Sequence, residues 1–126
     1  FLSWGHPPPL TMASIPQGCQ ILTMSKYCKD SALLLQRCIK ESGAEGCAAE
    51  KHRFECCAEQ AMPSVVQNLI DIASEQCQPQ VLEFQRCVRE KGGGKSAEEK
   101  CEQLDMVALD CAAAWVTREW QAREIG

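Results

Sequence analysis

Four pairs of cysteines, Cys28 with Cys38, Cys47 with Cys57, Cys77 with Cys87 and Cys101 with Cys111, are each separated by nine residues. Eight of the ten cysteines in the chain therefore obey one spacing rule. Ten steps along an α-helix rise about 15 Å and stop about 80° short of three full turns, so both thiols of a pair fall on one broad stripe of a helix. Written as a heptad, the step runs from an a position to the d position of the next repeat. The surrounding residues keep that register. Ile21, Met24, Cys28, Ser31, Leu35 and Cys38 form one such series, and Cys101, Leu104, Ala108, Cys111 and Trp115 form another. Cysteine thus stands on the seam where leucine would otherwise pack.

Two helices of this kind laid antiparallel bring the last cysteine of the first beside the first cysteine of the second, which closes an inner rung next to the turn. The expected bridges are Cys38–Cys47 inside Cys28–Cys57, and Cys87–Cys101 inside Cys77–Cys111. Helix axes ordinarily pack 8–10 Å apart, whereas disulfide-bonded Cα atoms sit roughly 4.4–6.8 Å apart, so the neighbours along the seam must be small. Ser31, Ala48, Ala58, Ala108 and Ala112 are the expected small positions. Closing a ten-residue loop such as 38–47 contributes about 2.7 kcal/mol on the chain-entropy account, a large share for a short hairpin with a thin core.

The hairpin is repeated. Leu35-Gln-Arg-Cys38-Ile-Lys-Glu41 recurs as Phe84-Gln-Arg-Cys87-Val-Arg-Glu90, 49 residues on, and Cys28 maps onto Cys77 at the same offset. Cys47 and Cys57 map onto Cys101 and Cys111 at an offset of 54, the difference lying in a longer turn. Two copies of one unit account for both offsets.

Punctuation divides the chain accordingly. Residues 1–18, with Pro7-Pro-Pro9, read as an extended proline-rich arm, and Ser14 followed by Pro16 reads as a helix start. The first hairpin is expected over 19–62, with one helix running to about Glu41 and a second ending where Pro63 interrupts it. A linker helix follows over 63–76, the second hairpin over 77–115 and a helical tail over 116–126. Gly92-Gly-Gly94 makes the second turn, and Ser96 with Glu99 reads as a capping box for the last helix. No strand pattern survives, so the fold class is all-α: two tandem disulfide-stapled antiparallel helical hairpins joined by a linker helix, with an extended N-terminal arm.

Composition narrows the setting. Ten cysteines in 126 residues point to an oxidising compartment. The net charge is −4, with 13 Lys and Arg scattered among 17 Asp and Glu, and nucleic acid is not an expected partner. No apolar run approaches the roughly 18 residues of a membrane span. The segment Phe1-Leu-Ser-Trp-Gly-His-Pro-Pro-Pro-Leu10 has neither the apolar core of a secretory signal nor the arginine-rich character of a transit peptide.

The four Cys-x9-Cys motifs resemble the coiled-coil-helix-coiled-coil-helix (CHCH) family over roughly residues 20–115. The double arrangement is similar to that of the four-motif members that serve as accessory subunits of respiratory complex I. The resemblance implies nested disulfides introduced by an oxidative relay during import into the mitochondrial intermembrane space. It also implies a non-catalytic subunit, peripheral to the inner membrane through protein contacts, whose partners are the other subunits of a large mitochondrial membrane complex. Subunits of cytochrome c oxidase, ATP synthase or the mitoribosome, and soluble assembly factors or copper chaperones, are the alternatives.

The remaining chemistry-bearing residues are few. Cys19 and Cys56 lie outside the motifs, and on a straight helix Cys19 overshoots Cys57 by about two turns, so both are expected as free thiols. In copper chaperones of this family the vicinal pair precedes the first motif. Here Cys57 is already used as the end of the second, so Cys56-Cys57 is not read as a copper pair. Nine-residue gaps do not gather thiolates around one tetrahedral ion, and neither metal nor cofactor is expected. His6 and His52 are too few and too far apart for a His-based site, His52 being placed on an exposed helix face. No phosphate loop is present, and no small-molecule substrate is expected. Trp4, Trp115 and Trp120 remain as candidate partner contacts, with packing of Trp115 around Leu69 and Ile70 the alternative.

Overall fold

The computed structural model describes residues 14–125, and among them every regular element is helical. The order is α1 (Ser14–Leu22), a π-helical turn (Thr23–Tyr27), α2 (Lys29–Ser42), a 3₁₀ turn (Ala44–Gly46), α3 (Ala48–Gln76), α4 (Gln78–Glu90), α5 (Gly94–Lys100) and α6 (Glu102–Ile125). Two compact units result, one of Cys19–Asn68 and the other of residues 14–18 with 69–125.

Helices do not run through the motifs from end to end. The first cysteine of each Cys-x9-Cys motif leaves helical geometry: φ and ψ are −129° and 37° at Cys28, −118° and 32° at Cys47, −130° and 42° at Cys77, and −104° and 16° at Cys101. A new helix begins at the next residue each time. The break is bonded on both sides. Cys28 donates its N–H to the Thr23 carbonyl at 2.7 Å and accepts at its own carbonyl from the Ala32 N–H at 2.9 Å. Cys77 does the same between Ala73 and Val81, at 2.8 and 3.1 Å. Cys47 sits likewise between Ala44 and Lys51, and Cys101 between Ala97 and Asp105. No backbone polar group of these buried residues is left without a partner, so the bend carries no desolvation penalty.

In the unit of residues 19–68, α2 runs antiparallel to the first part of α3, tied by Cys28–Cys57 and Cys38–Cys47. Leu22, Cys28, Ala32, Cys47 and Val65 are buried. Thr23 is buried too, and its hydroxyl donates to the Cys19 carbonyl at 2.7 Å while that of Ser25 donates to the Ile21 carbonyl at 2.6 Å. Such back-bonding competes with the regular ladder and goes with the wider π turn that precedes Cys28.

In the other unit α4 runs antiparallel along α6, tied by Cys77–Cys111 and Cys87–Cys101. Its core is small-residue rich: Ala73, Ala97, Ala108, Ala112 and Ala113 are buried beside Leu69 and Val116. Ser14 donates its N–H to Asp110 Oδ1 at 3.0 Å, which pairs a carboxylate with the N-terminus of α1. Gly18 passes so close to Ala113 that an added Cβ would lie 2.6 Å from the alanine Cβ.

Four expectations are corrected. α1 begins at Ser14, as the Ser14 and Pro16 signal predicts, so residues 14–18 belong to it and not to the arm; residues 1–13, where the rest of the arm was expected, lie outside the described residues. Pro63 does not end a helix, because the 29-residue α3 continues through it to Gln76 and there is no separate linker helix. Glu59 and Pro63 are both exposed, so the carbonyl that proline cannot bond faces solvent while Val65, Leu69 and Ala73 bury the other face. Ser96 does not cap a helix: α5 starts at Gly94, after Gly92 and Gly93 with φ of 98° and 75°, values that suit glycine alone. Ala48 is exposed, and Ala32 takes the small buried position near the first staple.

Candidate functional site

The chemistry of the chain is concentrated in its four staples. Cα–Cα separations are 6.1 Å for Cys28–Cys57, 5.9 Å for Cys38–Cys47, 6.2 Å for Cys77–Cys111 and 6.1 Å for Cys87–Cys101. These are the pairs that an antiparallel hairpin requires. Each bridge is lopsided. Cys28, Cys47, Cys77 and Cys101, which sit at the helix breaks, are only 1–3% exposed, whereas Cys38, Cys57, Cys87 and Cys111, each within a helix, are half-buried. The break places the first cysteine of each motif at a helix end, where it is buried while its partner stays within a helix.

Small side chains complete the approach. Ala108 and Ala112 lie buried near Cys111, while Ser31 and Ala58 are half-buried. Phe54 and Phe84, each three residues before the second cysteine of its motif, are half-buried as well. Asp105, near the second hairpin's inner bridge in sequence, has its carboxyl held above the ordinary value, by burial first and then by the negative charges of Glu102 and Glu98.

Among the described residues, one group of three donors lies close together, Cys38, Cys47 and Glu50, with ligand atoms within 4.8 Å of one another. Two of those sulfurs are bonded to each other, so in the oxidised chain no thiolate pair is available to an ion. Cys19 and Cys56 are free. Cys19 is half-buried, and burial pushes its thiol up from its ordinary value, which keeps it protonated. Cys56 is exposed on α3, one turn from His52, with Sγ 3.5 Å from the imidazole Nε2. That contact was not read from the sequence, although the spacing of four residues was its signal. Alkylation of the oxidised protein is therefore expected to label Cys56 well before Cys19, a difference that time-resolved peptide mass spectrometry reads directly; equal rates would contradict the burial assigned to Cys19.

His6 and Trp4 lie outside the described residues. Trp115 and Trp120 are half-buried on α6; Leu69 is buried and Ile70 exposed. Other large apolar side chains are open to solvent, among them Leu33 and Leu34 on α2 and Leu82 on α4. Among the described residues, no helix is long and apolar enough to cross a membrane. Comparison with family models, with curated proteins and with solved structures finds no match to this chain.

Proposed function

We propose that this chain is a structural, non-catalytic member of the CHCH family, resident in the mitochondrial intermembrane space. Within it the chain serves as a peripheral accessory subunit of respiratory complex I, supporting its assembly and stability. The observation that carries the reading is the duplicated hairpin, each copy closed by two nested bridges between Cys-x9-Cys helices. A chain that holds its shape by covalent rungs needs little core of its own, and it leaves apolar side chains such as Leu33, Leu34 and Leu82 on its surface for neighbours to cover. Trp4, Trp115 and Trp120 are the aromatic contacts through which such neighbours would be held.

Native electrophoresis of solubilised mitochondrial membranes, with mass spectrometry of each band, tests the reading. The chain is expected to co-migrate with NADH dehydrogenase activity, and its depletion to reduce the assembled complex. Recovery with a different complex would overturn the assignment to complex I, and recovery only in a free low-mass pool would overturn the subunit role itself.

A further inference from the structure

We propose that both hairpins carry the same docking face, and that each face takes an acidic amphipathic helix of a partner protein. On α2 the face is Leu33, Arg37 and Lys40; on α4 it is Leu82, Arg86 and Arg89. This names the chemistry of the neighbours in the role proposed above, and rests on that role only in that the chain has a protein partner. The internal repeat singles the face out. Between residues 29–41 and their counterparts 78–90 the inward positions differ: half-buried Ser31, buried Ala32 and half-buried Leu35 answer to Gln80, Val81 and Phe84. Outward positions agree. Leu33 and Leu82, Gln36 and Gln85, and Arg37 and Arg86 are identical, Lys40 and Arg89 keep their charge, and all of them are exposed, the leucines by 49% and 60%. Packing within a hairpin constrains its buried side chains, so apart from the bridged cysteine, likeness gathered on the exposed ones points to a partner outside.

Steps of three, four and seven residues set each leucine, glutamine and pair of cations on one side of its helix. On α2, Leu33, Gln36, Arg37 and Lys40 line one open recess together with Glu41. On α4, Leu82 and Gln85 line one recess, and Gln85 and Arg89 the next. A leucine ridge of this period fits the groove of another helix, and the cations beside it call for carboxylates. Among the described residues Arg37, Lys40 and Arg89 have no ion-pair partner. Arg86 holds Glu83 at 2.9 Å, an exposed pair that contributes little and yields to a partner carboxylate. A lipid surface fits less well. Each face offers two cations where anionic headgroups gather about four to eight, and Glu41 or Glu90 stands beside them.

The test titrates the oxidised full chain, its bridges verified by mass, in a calorimeter. The probes are a helical peptide with a leucine stripe flanked by glutamates, the same peptide with lysines for the glutamates, and vesicles of mixed neutral and anionic phospholipid. Two molecules of the acidic peptide are expected to bind per chain, more weakly as salt rises, with no binding of the lysine peptide or the vesicles. Arg37→Glu with Lys40→Glu should weaken one site by about ten-fold or more, and Arg86→Glu with Arg89→Glu the other. Lys51→Glu, exposed on α3 away from both faces, should weaken neither. Circular dichroism verifies that the charge-reversed chains keep their fold, since every substituted side chain is exposed. Failure of the acidic peptide to bind, binding undiminished by the four reversals, or binding to the vesicles in its place would overturn the faces. Recovery of the chain in a free pool on native gels would instead overturn the subunit role, and leaves this titration unaffected.

Discussion

Replacing Cys77 and Cys111 together by serine lowers the thermal midpoint of the unit they staple by about 12–24 °C, with the inner bridge Cys87–Cys101 left intact. The reasoning is one of chain entropy. With the inner bridge closed, the outer bridge still ties off the two helical arms from Cys77 to Cys87 and from Cys101 to Cys111, roughly twenty residues, and a loop of that size is worth about 3 kcal/mol. In a unit of this size each kcal/mol moves the midpoint by about 4–8 °C. The loss is not made good elsewhere, because Ala73, Ala97, Ala108, Ala112 and Ala113 supply little apolar area to hold α4 against α6 without a covalent rung. Scanning calorimetry or circular dichroism of the double variant checks it; an unchanged midpoint would mean that the helices associate by packing alone.

A second large effect is expected at Gly18. Gly18→Ala should destabilise the chain by about 1–3 kcal/mol, although alanine is the better helix former by about 1 kcal/mol. The decisive quantity is the distance to backbone. A Cβ at Gly18 would stand 2.6 Å from the Cβ of Ala113, 2.8 Å from its Cα and 3.2 Å from its carbonyl oxygen. Ala113 has no exposed surface and cannot turn aside, so α1 must move off α6 and loosen the Ser14 N–H bond to Asp110. Gly46→Ala supplies the control, since there the nearest atom is the Cβ of Ser42 at an ordinary 3.5 Å. Urea unfolding of the two variants should separate them clearly, with the loss confined to Gly18. Equal midpoints would contradict the close crossing.

Periodicity is a property of residue type and spacing, and it was enough for the helical class and for the rungs, because Met24, Cys28, Ser31, Leu35 and Cys38 recur at three- and four-residue steps, a pattern that gathers on one side of a helix and scatters over both faces of a strand. Element ends were less legible. Cys28, Cys47, Cys77 and Cys101 look like any other seam residue in the sequence, yet each ends one helix and starts the next. The breaks coincide with one end of each bridge, a tertiary feature with no local signature. Pro63 misled for the opposite reason: its local signal is strong, but an exposed turn of α3 lets solvent take the orphaned carbonyl and buried Val65 and Leu69 carry the helix on. Ser96 lost its capping role to the glycine run before it, whose positive φ values start α5 two residues earlier. Of the residues outside the framework, the exposed position of His52 is legible in the sequence, whereas its contact with Cys56 depends on the rotamers of two exposed side chains and has only the four-residue step as a signal.

Non-reducing proteolysis of the native protein, with mass spectrometry of the linked peptides, bears most directly on the whole account. Peptides joining Cys28 to Cys57, Cys38 to Cys47, Cys77 to Cys111 and Cys87 to Cys101 are expected, with Cys19 and Cys56 recovered as free thiols. A peptide joining Cys28 to Cys38, or any other link within a single Cys-x9-Cys motif, would contradict it.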